Sequence, residues 1–202
     1  ASRSYDVQRI VGVPSDRVIP PESVLARIRS EAGQVALARS LRDDSEAFLD
    51  GFKAPMQRPL TGVYGSQRVY NGKPGRPHYG VDVARPTGTV VVAPADAVVT
   101  LVQNDNYYSG GTLILDHGYG VSSTMIHLSE VLVEKGQTVK QGDPVAKVGA
   151  SGRAASVCRM CVRFSLASLV RPLALPPLKA LTPSDGCVTS EKMRANESPK
   201  KR

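Results

Sequence analysis

The sequence predicts a mainly β protein, with an antiparallel β-sandwich or barrel-like core preceded by an N-terminal helix. Two observations support this fold class. Between residues 52 and 152, short valine-rich runs alternate with glycine, proline, asparagine and aspartate, as in proteins built from many short strands and tight turns. The 202 residues also include 18 glycines and 15 prolines, a composition that favours a turn-rich β protein over a helical bundle.

The helix is predicted over about residues 22–42. Pro20-Pro21-Glu22 opens the segment, apolar residues follow mostly at spacings of three or four, and Arg39 and Arg42 lie near its end. Proline and an acidic residue at the start, with basic residues at the end, are the usual boundary signals of a helix. We expect its apolar face to pack on the domain that follows.

Seven short runs in the central region have the length and composition of strands. They are residues 89–93, 97–103, 112–116, 121–126, 131–133, 138–139 and 145–148. Valines and glycines recur at regular intervals around the last of them, as expected where glycines form tight turns and valines fill a small barrel. Biotinyl and lipoyl carrier domains show the same spacing, so a carrier is one alternative function.

Most of the net charge and all of the cysteines lie in the C-terminal tail. Residues 154–202 hold nine of the 26 basic and three of the 18 acidic residues, which accounts for +6 of the net charge of +8. These charges are not regularly interleaved with aromatic residues, so we expect no nucleic-acid partner. Cys158, Cys161 and Cys187 lack the histidine and cysteine partners of a four-ligand structural zinc site, because no histidine follows His127.

These shifts in composition predict three regions. They are an N-terminal arm and helix at 1–54, a β domain at 55–153, and a basic, cysteine-containing tail at 154–202 that is expected to be irregular because prolines interrupt it. No run of about 20 apolar residues is present, so no transmembrane segment is expected. No signal-peptide pattern opens the sequence, which suggests an intracellular protein or a mature or fragmentary form.

The stretch 75–84 holds one of the three histidines, with a carboxylate four residues further on. Gly80 and the valines around it favour an extended segment over a helix. Residues i and i+4 of a strand share a face, so His78 and Asp82 would meet in one pocket and form a pair suited to zinc. On spacing alone, the alternative of a surface histidine beside a turn aspartate is favoured.

A series of motifs, taken in order, resembles the lysostaphin/LytM-type zinc metallopeptidases. The matching segments are Gly62-Val63-Tyr64-Gly65, Arg76-Pro77-His78-Tyr79-Gly80-Val81-Asp82, Val92-Ala93-Pro94-Ala95-Asp96, Gly111-Thr112-Leu113-Ile114-Leu115-Asp116-His117-Gly118, His127-Leu128-Ser129 and Gly149-Ala150-Ser151-Gly152-Arg153. The resemblance covers about residues 55–153 and is specific, because unrelated signals occur in the family's order. It implies an antiparallel β core with a zinc site in a groove, which cuts short peptide cross-links in bacterial peptidoglycan.

The resemblance also implies roles for individual residues. His78 and Asp82 match the family's first two zinc ligands, and His127 matches the first of two catalytic histidines beside the metal. A histidine in the position of His127 would orient or deprotonate the attacking water. His117 matches a frequent family residue that is not a ligand, for which we expect a structural role. Tyr79 is a candidate for the wall of the groove, and packing within the domain is an equal alternative for it.

The motif that would complete the zinc site is missing from this chain. After Gly-Arg-Ala the family continues through a Gly-Pro-His-x-His segment, whose last histidine is the third ligand and whose other histidine is catalytic. Here Gly152-Arg153-Ala154 is followed by a segment without histidine, so a third zinc ligand is not found. The spacing of Cys158 and Cys161 does not support either cysteine as that ligand. We hypothesise that a reading-frame shift produced the residues from about 154 onward, which sequencing of the coding DNA tests.

The functional prediction is therefore a zinc metalloendopeptidase-type domain that acts on peptidoglycan, or an inactive version of it that lacks the third ligand. The alternative is a non-catalytic LytM-like module that binds peptidoglycan or activates a separate envelope amidase. A carrier is disfavoured, because Lys135, Lys140 and Lys147 do not lie in a Met-Lys-Met-like hairpin tip. The implied substrate predicts a location in the periplasm or cell envelope.

Overall fold

The computed structural model describes residues 5–57 and 60–153, together with the backbone of residues 159–166. It confirms the predicted fold class, because antiparallel strands dominate the chain and one long helix precedes most of them. Neither α-helix in the described part of the chain has the length and apolar character needed to cross a membrane.

Twelve strands and two α-helices form within the described residues. The strands are β1 Val7–Ile10, β2 Leu60–Gly62, β3 Gln67–Tyr70, β4 Lys73–Pro74, β5 Val81–Ala84, β6 Val90–Val92, β7 Ala97–Asn106, β8 Gly110–Asp116, β9 Val121–Val131, β10 Thr138–Val139, β11 Pro144–Val148 and β12 Arg159–Leu166. The helices are α1 Ser15–Val18 and α2 Leu25–Ser40, and short 3-10 turns form at Glu22–Val24 and Ala47–Asp50.

The large sheet has the strand order β10-β7-β8-β9-β12-β5-β2, and β11 joins it by pairing with both β6 and β9. Within it β8, between β7 and β9, is buried along its whole length. Leu113 and Leu115 contribute to the main apolar cluster with Val99 and Met125, while Ile114 lies in a second cluster. This alternation is the two-residue period of a strand that is covered on both faces.

The predicted helix and its packing on the β domain are confirmed. The 3-10 turn and α2 together occupy residues 22–40, and Ala38 with Val35 packs against Leu101 and Ile114 on the outer face of the sheet. The contact is narrow, because Leu37 on the same helix remains exposed. Arg39 adds a hydrogen bond to the buried Thr124 hydroxyl of β9.

A small second sheet lies beside the first, with the order β1-β3-β4. The strand β1 comes from the arm that showed no sequence periodicity, and it pairs in parallel with β3. Parallel pairing to a distant strand leaves no local signal in the sequence, so the arm could not be identified as a strand. The sheet matters for the site because β3 carries Arg68.

The expectation of irregular structure after residue 153 is wrong for eight residues of the tail. The strand β12 occupies 159–166 and pairs antiparallel with β5 on one side and β9 on the other. The edges of β5 and β9 supply hydrogen-bond partners for the backbone of β12. Pairing of this kind decides the conformation of the segment, although its local composition does not favour a strand. The three-region division of the chain remains a prediction.

Candidate metal and catalytic site

His78 lies in the loop before β5, and not within a strand as the sequence suggested. Its backbone N–H donates to the carbonyl oxygen of Ser66, and its own carbonyl oxygen accepts from the N–H of Gly65. These bonds tie the loop to the turn before β3, so pairing within the large sheet begins only at Val81. The imidazole is buried, and its Nδ1 lies 3.2 Å from the carbonyl oxygen of Val63.

Asp82 lies on β5 with only 1% of its surface exposed. Its Oδ1 is 3.2 Å from Nε2 of His78, and its Oδ2 accepts a hydrogen bond from the guanidinium of Arg68. On β2, a Cβ at Gly62 would approach Oδ2 to 2.5 Å, so a glycine is needed to make room for the carboxylate. The predicted meeting of His78 and Asp82 therefore occurs, although the loop positions His78.

The charge state of Asp82 is set by its two partners. Burial alone would raise the pKa of the carboxyl group, because desolvation disfavours the charged form. The hydrogen bond with His78 and the positive charge of Arg68 outweigh burial and hold the pKa of Asp82 well below its usual range. The carboxylate is thus ionised over the whole pH range in which proteins normally function.

His127 lies on β9 at a bulge. Thr112 of β8 pairs with Ile126, and Gly111 pairs with Leu128, so His127 is the extra residue on its strand. Its φ of 66° is in the left-handed region, which a residue with a Cβ adopts only at a cost. Bulges of this kind bend a strand and redirect a side chain, and they occur frequently beside active sites.

His127 is held as a neutral imidazole. Its Nδ1 lies 2.8 Å from the carbonyl oxygen of Ser151, and the neutral tautomer that donates this hydrogen bond carries its lone pair on Nε2. The pKa of His127 is lowered to about 4, chiefly by desolvation and to a smaller extent by the charges of Arg153 and Arg68. The Ser151 bond and the negative charge of Asp82 only partly oppose this shift, so Nε2 is available to accept a proton near pH 7.

The fold brings the three predicted site residues to one region. His78 and Asp82 are in contact, and Asp82 is close enough to affect the pKa of His127 electrostatically. The two strands that carry Asp82 and His127 are separated only by β12. Among the residues whose side chains the structure describes, no group of three or more histidine, cysteine, aspartate or glutamate residues could hold a metal ion.

The pair of His78 and Asp82 nevertheless has the chemistry and spacing of two zinc ligands. Two donors bound tetrahedrally to zinc at about 2.0–2.1 Å lie about 3.3 Å apart, and the observed separation of Nε2 and Oδ1 is 3.2 Å. The contact between Nδ1 of His78 and a backbone carbonyl is the outer contact that commonly orients a metal-binding histidine. The described side chains therefore fit zinc in kind, and they supply two ligands.

Several residues around the site were not identified from the sequence. The guanidinium of Arg153 lies between the rings of Tyr70 and Tyr108, at 4.7 Å and 4.6 Å from their centroids. The rings of Tyr64 and Tyr79 are 6.1 Å apart, and both are exposed. Exposed aromatic rings next to His78 are suited to contact with a substrate chain, and only Tyr79 had been proposed for this.

His117 lies away from the other two histidines, in the interior of the domain. Its exposed surface is 0%, Nδ1 is 2.9 Å from the carbonyl oxygen of Asp96, and Nε2 is 2.8 Å from the hydroxyl of Ser123. The ring of Phe52 packs edge-on against it at 5.1 Å. Hydrogen bonds at both nitrogens and complete burial give His117 a structural position.

We expect His117 to make the folded state less stable in acid. Burial lowers the pKa of His117 in the folded protein, so between that value and about 6.5 the unfolded chain binds a proton that the folded chain does not. The free energy of unfolding should therefore fall as the pH drops below about 6.5. Urea denaturation at pH 7.5 and 5.5 should show a smaller loss for His117→Gln than for the unmodified protein, and equal losses would contradict this expectation.

Comparison with known protein families matches residues 76–171 to peptidase family M23. The match extends past residue 153 and includes β12. The peptidoglycan DD-endopeptidases ShyB and ShyA of Vibrio cholerae are 36% identical over 103 residues and 33% identical over 117 residues, respectively. These alignments cover 51% and 58% of this chain but only 21% and 26% of the two relatives, so the chain spans about a quarter or less of their length.

Solved structures show the same relationship. A putative peptidase M23 from Pseudomonas aeruginosa superimposes with a TM-score of 0.63 at 32% identity, over 72% of this chain and 58% of the other. A structure described as a zinc-containing peptidase from Vibrio cholerae gives a TM-score of 0.52 at 29% identity, over 59% and 37%. Residues 76–171 are therefore similar to peptidase family M23, in agreement with the resemblance found in the sequence.

Proposed function

We propose that this domain is a zinc endopeptidase that hydrolyses peptide cross-links in peptidoglycan. The observation that carries the proposal is the buried contact of 3.2 Å between Nε2 of His78 and Oδ1 of Asp82, with the neutral His127 beside it. Relatives named as peptidoglycan DD-endopeptidases support the substrate, and a similar structure described as zinc-containing supports the metal. From this substrate we further propose a location in the periplasm or cell envelope.

In this proposal His78 and Asp82 are the residues that would hold the zinc. When bound, zinc supplies Lewis-acid chemistry that polarises a peptide carbonyl and acidifies water. Val63 fixes the orientation of His78 through its carbonyl oxygen, and Arg68 fixes Asp82 through Oδ2. Because each ligand side chain is held by a second contact, both side chains are already oriented before the metal binds.

His127 acts as the general base in this proposal. Its Nε2 accepts a proton from the water that attacks the scissile carbonyl carbon, and the same proton passes to the amine nitrogen as the C–N bond breaks. A new C–O bond replaces the C–N bond, so the reaction consumes one water and needs no further reactant. The carbonyl oxygen of Ser151 keeps the ring oriented throughout, because it accepts from Nδ1.

A specific observation favours the alternative function, a non-catalytic module that binds peptidoglycan or activates an amidase. The described side chains provide only two zinc ligands, and the guanidinium of Arg68 already contacts one of them. A catalytic zinc site normally has three protein ligands. In a module of this kind, the exposed rings of Tyr64 and Tyr79 would contact the peptidoglycan without cleavage.

A single set of measurements distinguishes the two functions. The purified full chain, supplied with one equivalent of zinc, is incubated with cross-linked muropeptides, and the products are identified by mass spectrometry. We expect uncrosslinked peptides, no products after chelation, and loss of both zinc and cleavage in His78→Ala. Retention of the protein on peptidoglycan sacculi without bound zinc or cleavage would overturn the proposal and support the non-catalytic module.

A further inference from the structure

We propose that Arg153 is a specificity-determining residue, which binds a free carboxylate of the substrate next to the scissile bond. The carboxylate belongs to the residue of the cross-link that contributes the leaving amine. The inference rests on the proposed function and deepens it, because it names the class of cross-link that the site selects. The argument comes from the contacts that hold the guanidinium and from its position beside His127.

The guanidinium of Arg153 is fixed by stacking on two aromatic rings. Its central carbon lies 4.7 Å from the ring centroid of Tyr70 and 4.6 Å from that of Tyr108. The backbone N–H of Arg153 also donates to the carbonyl oxygen of Tyr108 at 2.8 Å. Stacking uses the faces of the planar guanidinium, whereas its N–H donors project from the edge. The side chain therefore loses little conformational freedom when it binds a ligand.

The turn that carries Arg153 also orients His127. Two residues before Arg153, the carbonyl oxygen of Ser151 lies 2.8 Å from Nδ1 of His127. Desolvation chiefly lowers the pKa of His127, and the positive charge of Arg153 adds to this lowering. The guanidinium is therefore close enough to His127 for its charge to be felt there.

Tyr70 links Arg153 to the other half of the site. Tyr70 and Arg68 are two residues apart on β3, so their side chains lie on one face of that strand, and they interact with each other. Arg68 in turn donates to the carboxylate of Asp82. Arg153 is thus connected through short contacts to one proposed zinc ligand and to the proposed general base.

No carboxylate among the side chains that the structure describes forms an ion pair with Arg153. Those ion pairs involve Arg17, Arg27, Arg68, His78, Lys140 and Lys147. Arg153 is half-buried, so its charge is only partly solvated. A guanidinium can bind a carboxylate through two parallel hydrogen bonds, and it does so with geometric specificity. A carboxylate of the substrate would therefore find a positioned partner here.

The proposed reaction indicates which side of the cross-link carries this carboxylate. His127 passes its proton to the amine nitrogen as the C–N bond breaks, so the amine-side residue of the substrate lies next to His127. Arg153 lies on this side, because its own turn holds the imidazole. In a diaminopimelate cross-link, the carbon that bears the linking amine also bears a free carboxylate. In a lysine cross-link or a glycine bridge, the corresponding carbon bears none.

A pair of substrates that differ only in this group tests the inference. The full chain with one equivalent of zinc is given cross-linked muropeptides with the free diaminopimelate carboxylate or its carboxamide, and kcat/KM is measured for each. We expect the unmodified protein to prefer the free carboxylate by about 10–100-fold, as charge-assisted hydrogen bonds allow. In Arg153→Gln the ratio should fall to near one. Arg153→Lys should keep a smaller preference, because an ammonium group retains the charge without the paired donors.

The matched control is Arg17→Gln. Arg17 lies over the ring of Tyr107 at 4.0 Å and beside the carboxylate of Asp16 at 3.6 Å, so this change removes a similar stacked cation that has an anionic partner. It should retain the full preference. If Arg153→Gln instead loses activity equally on both substrates, the residue supports only the structure of the turn, and the inference is overturned.

Binding measurements separate this inference from the proposed function. The affinity of the metal-free full chain for the same two muropeptides is measured by calorimetry. A preference for the free carboxylate that disappears in Arg153→Gln would support the inference even if neither substrate is cleaved. Cleavage of both substrates with equal kcat/KM by the unmodified protein would overturn the inference and leave the proposed function standing. Absence of any preference in both cleavage and binding would also overturn it.

Discussion

Replacing His127 by asparagine is expected to lower kcat for cleavage of cross-linked muropeptides by about 10²–10⁴-fold and to leave bound zinc unchanged. The imidazole is the group that takes the proton in the proposed reaction, and its pKa of about 4 keeps it neutral at working pH. His127 is not one of the proposed ligands, so metal content should be insensitive to its removal. The comparison requires kcat from initial rates and zinc content from elemental analysis of the same preparations.

Asparagine is chosen because of the backbone at this position. With a φ of 66°, residue 127 is in the left-handed region, which asparagine adopts more readily than alanine. His127→Asn therefore preserves the bulge while it removes the imidazole, and His127→Ala reports the added cost of backbone strain. If both variants retain full kcat, His127 is not the general base. If His127→Ala alone loses activity, the bulge matters and the ring does not.

Much of the site was accessible from the sequence, because its signals are local. His78 and Asp82 are four residues apart, and the order of short motifs up to His127 was enough to link all three to one family. The strands of the central region were likewise predicted, because valine-rich runs bounded by glycine turns indicate strands from local sequence alone. The run at 121–126 proved to be part of the longer strand β9, which ends at Val131, so only the first residue of the predicted run at 131–133 lies in a strand.

The remainder of the site depends on contacts that no local pattern encodes. Arg68 reaches Asp82 from a different strand, and its neighbours in sequence give no sign of that partner. The bulge at His127 arises from the register of β9 against β8. The strand between β5 and β9 is β12, which comes from a segment whose composition predicted an irregular tail. In each case contacts between segments that are distant in the sequence determine the position of the residue, and no local sequence pattern reveals those contacts.

Asp82→Asn is expected to lower the free energy of unfolding of the metal-free protein by about 3 kcal/mol, in addition to abolishing zinc binding. The carboxylate is the counter-ion of Arg68, whose side chain is only 13% exposed and whose buried Nε has no hydrogen-bond partner within the described structure. Removing Asp82 leaves that guanidinium in a poorly solvated position. Glu130→Gln, at the exposed pair with Lys147, is the matched control and should cost less than about 1 kcal/mol.

A double-mutant cycle with Arg68→Met determines whether this cost belongs to the ion pair. If it does, Asp82→Asn combined with Arg68→Met should be less destabilising than the sum of the two single changes, because the second change removes the charge that the first left unpaired. Additive losses would show that Arg68 and Asp82 stabilise the fold independently. Zinc titration of Arg68→Met completes the argument: an affinity about 10–100-fold weaker would assign Arg68 to the orientation of Asp82. A tighter affinity would instead show that the guanidinium competes with the metal for the carboxylate.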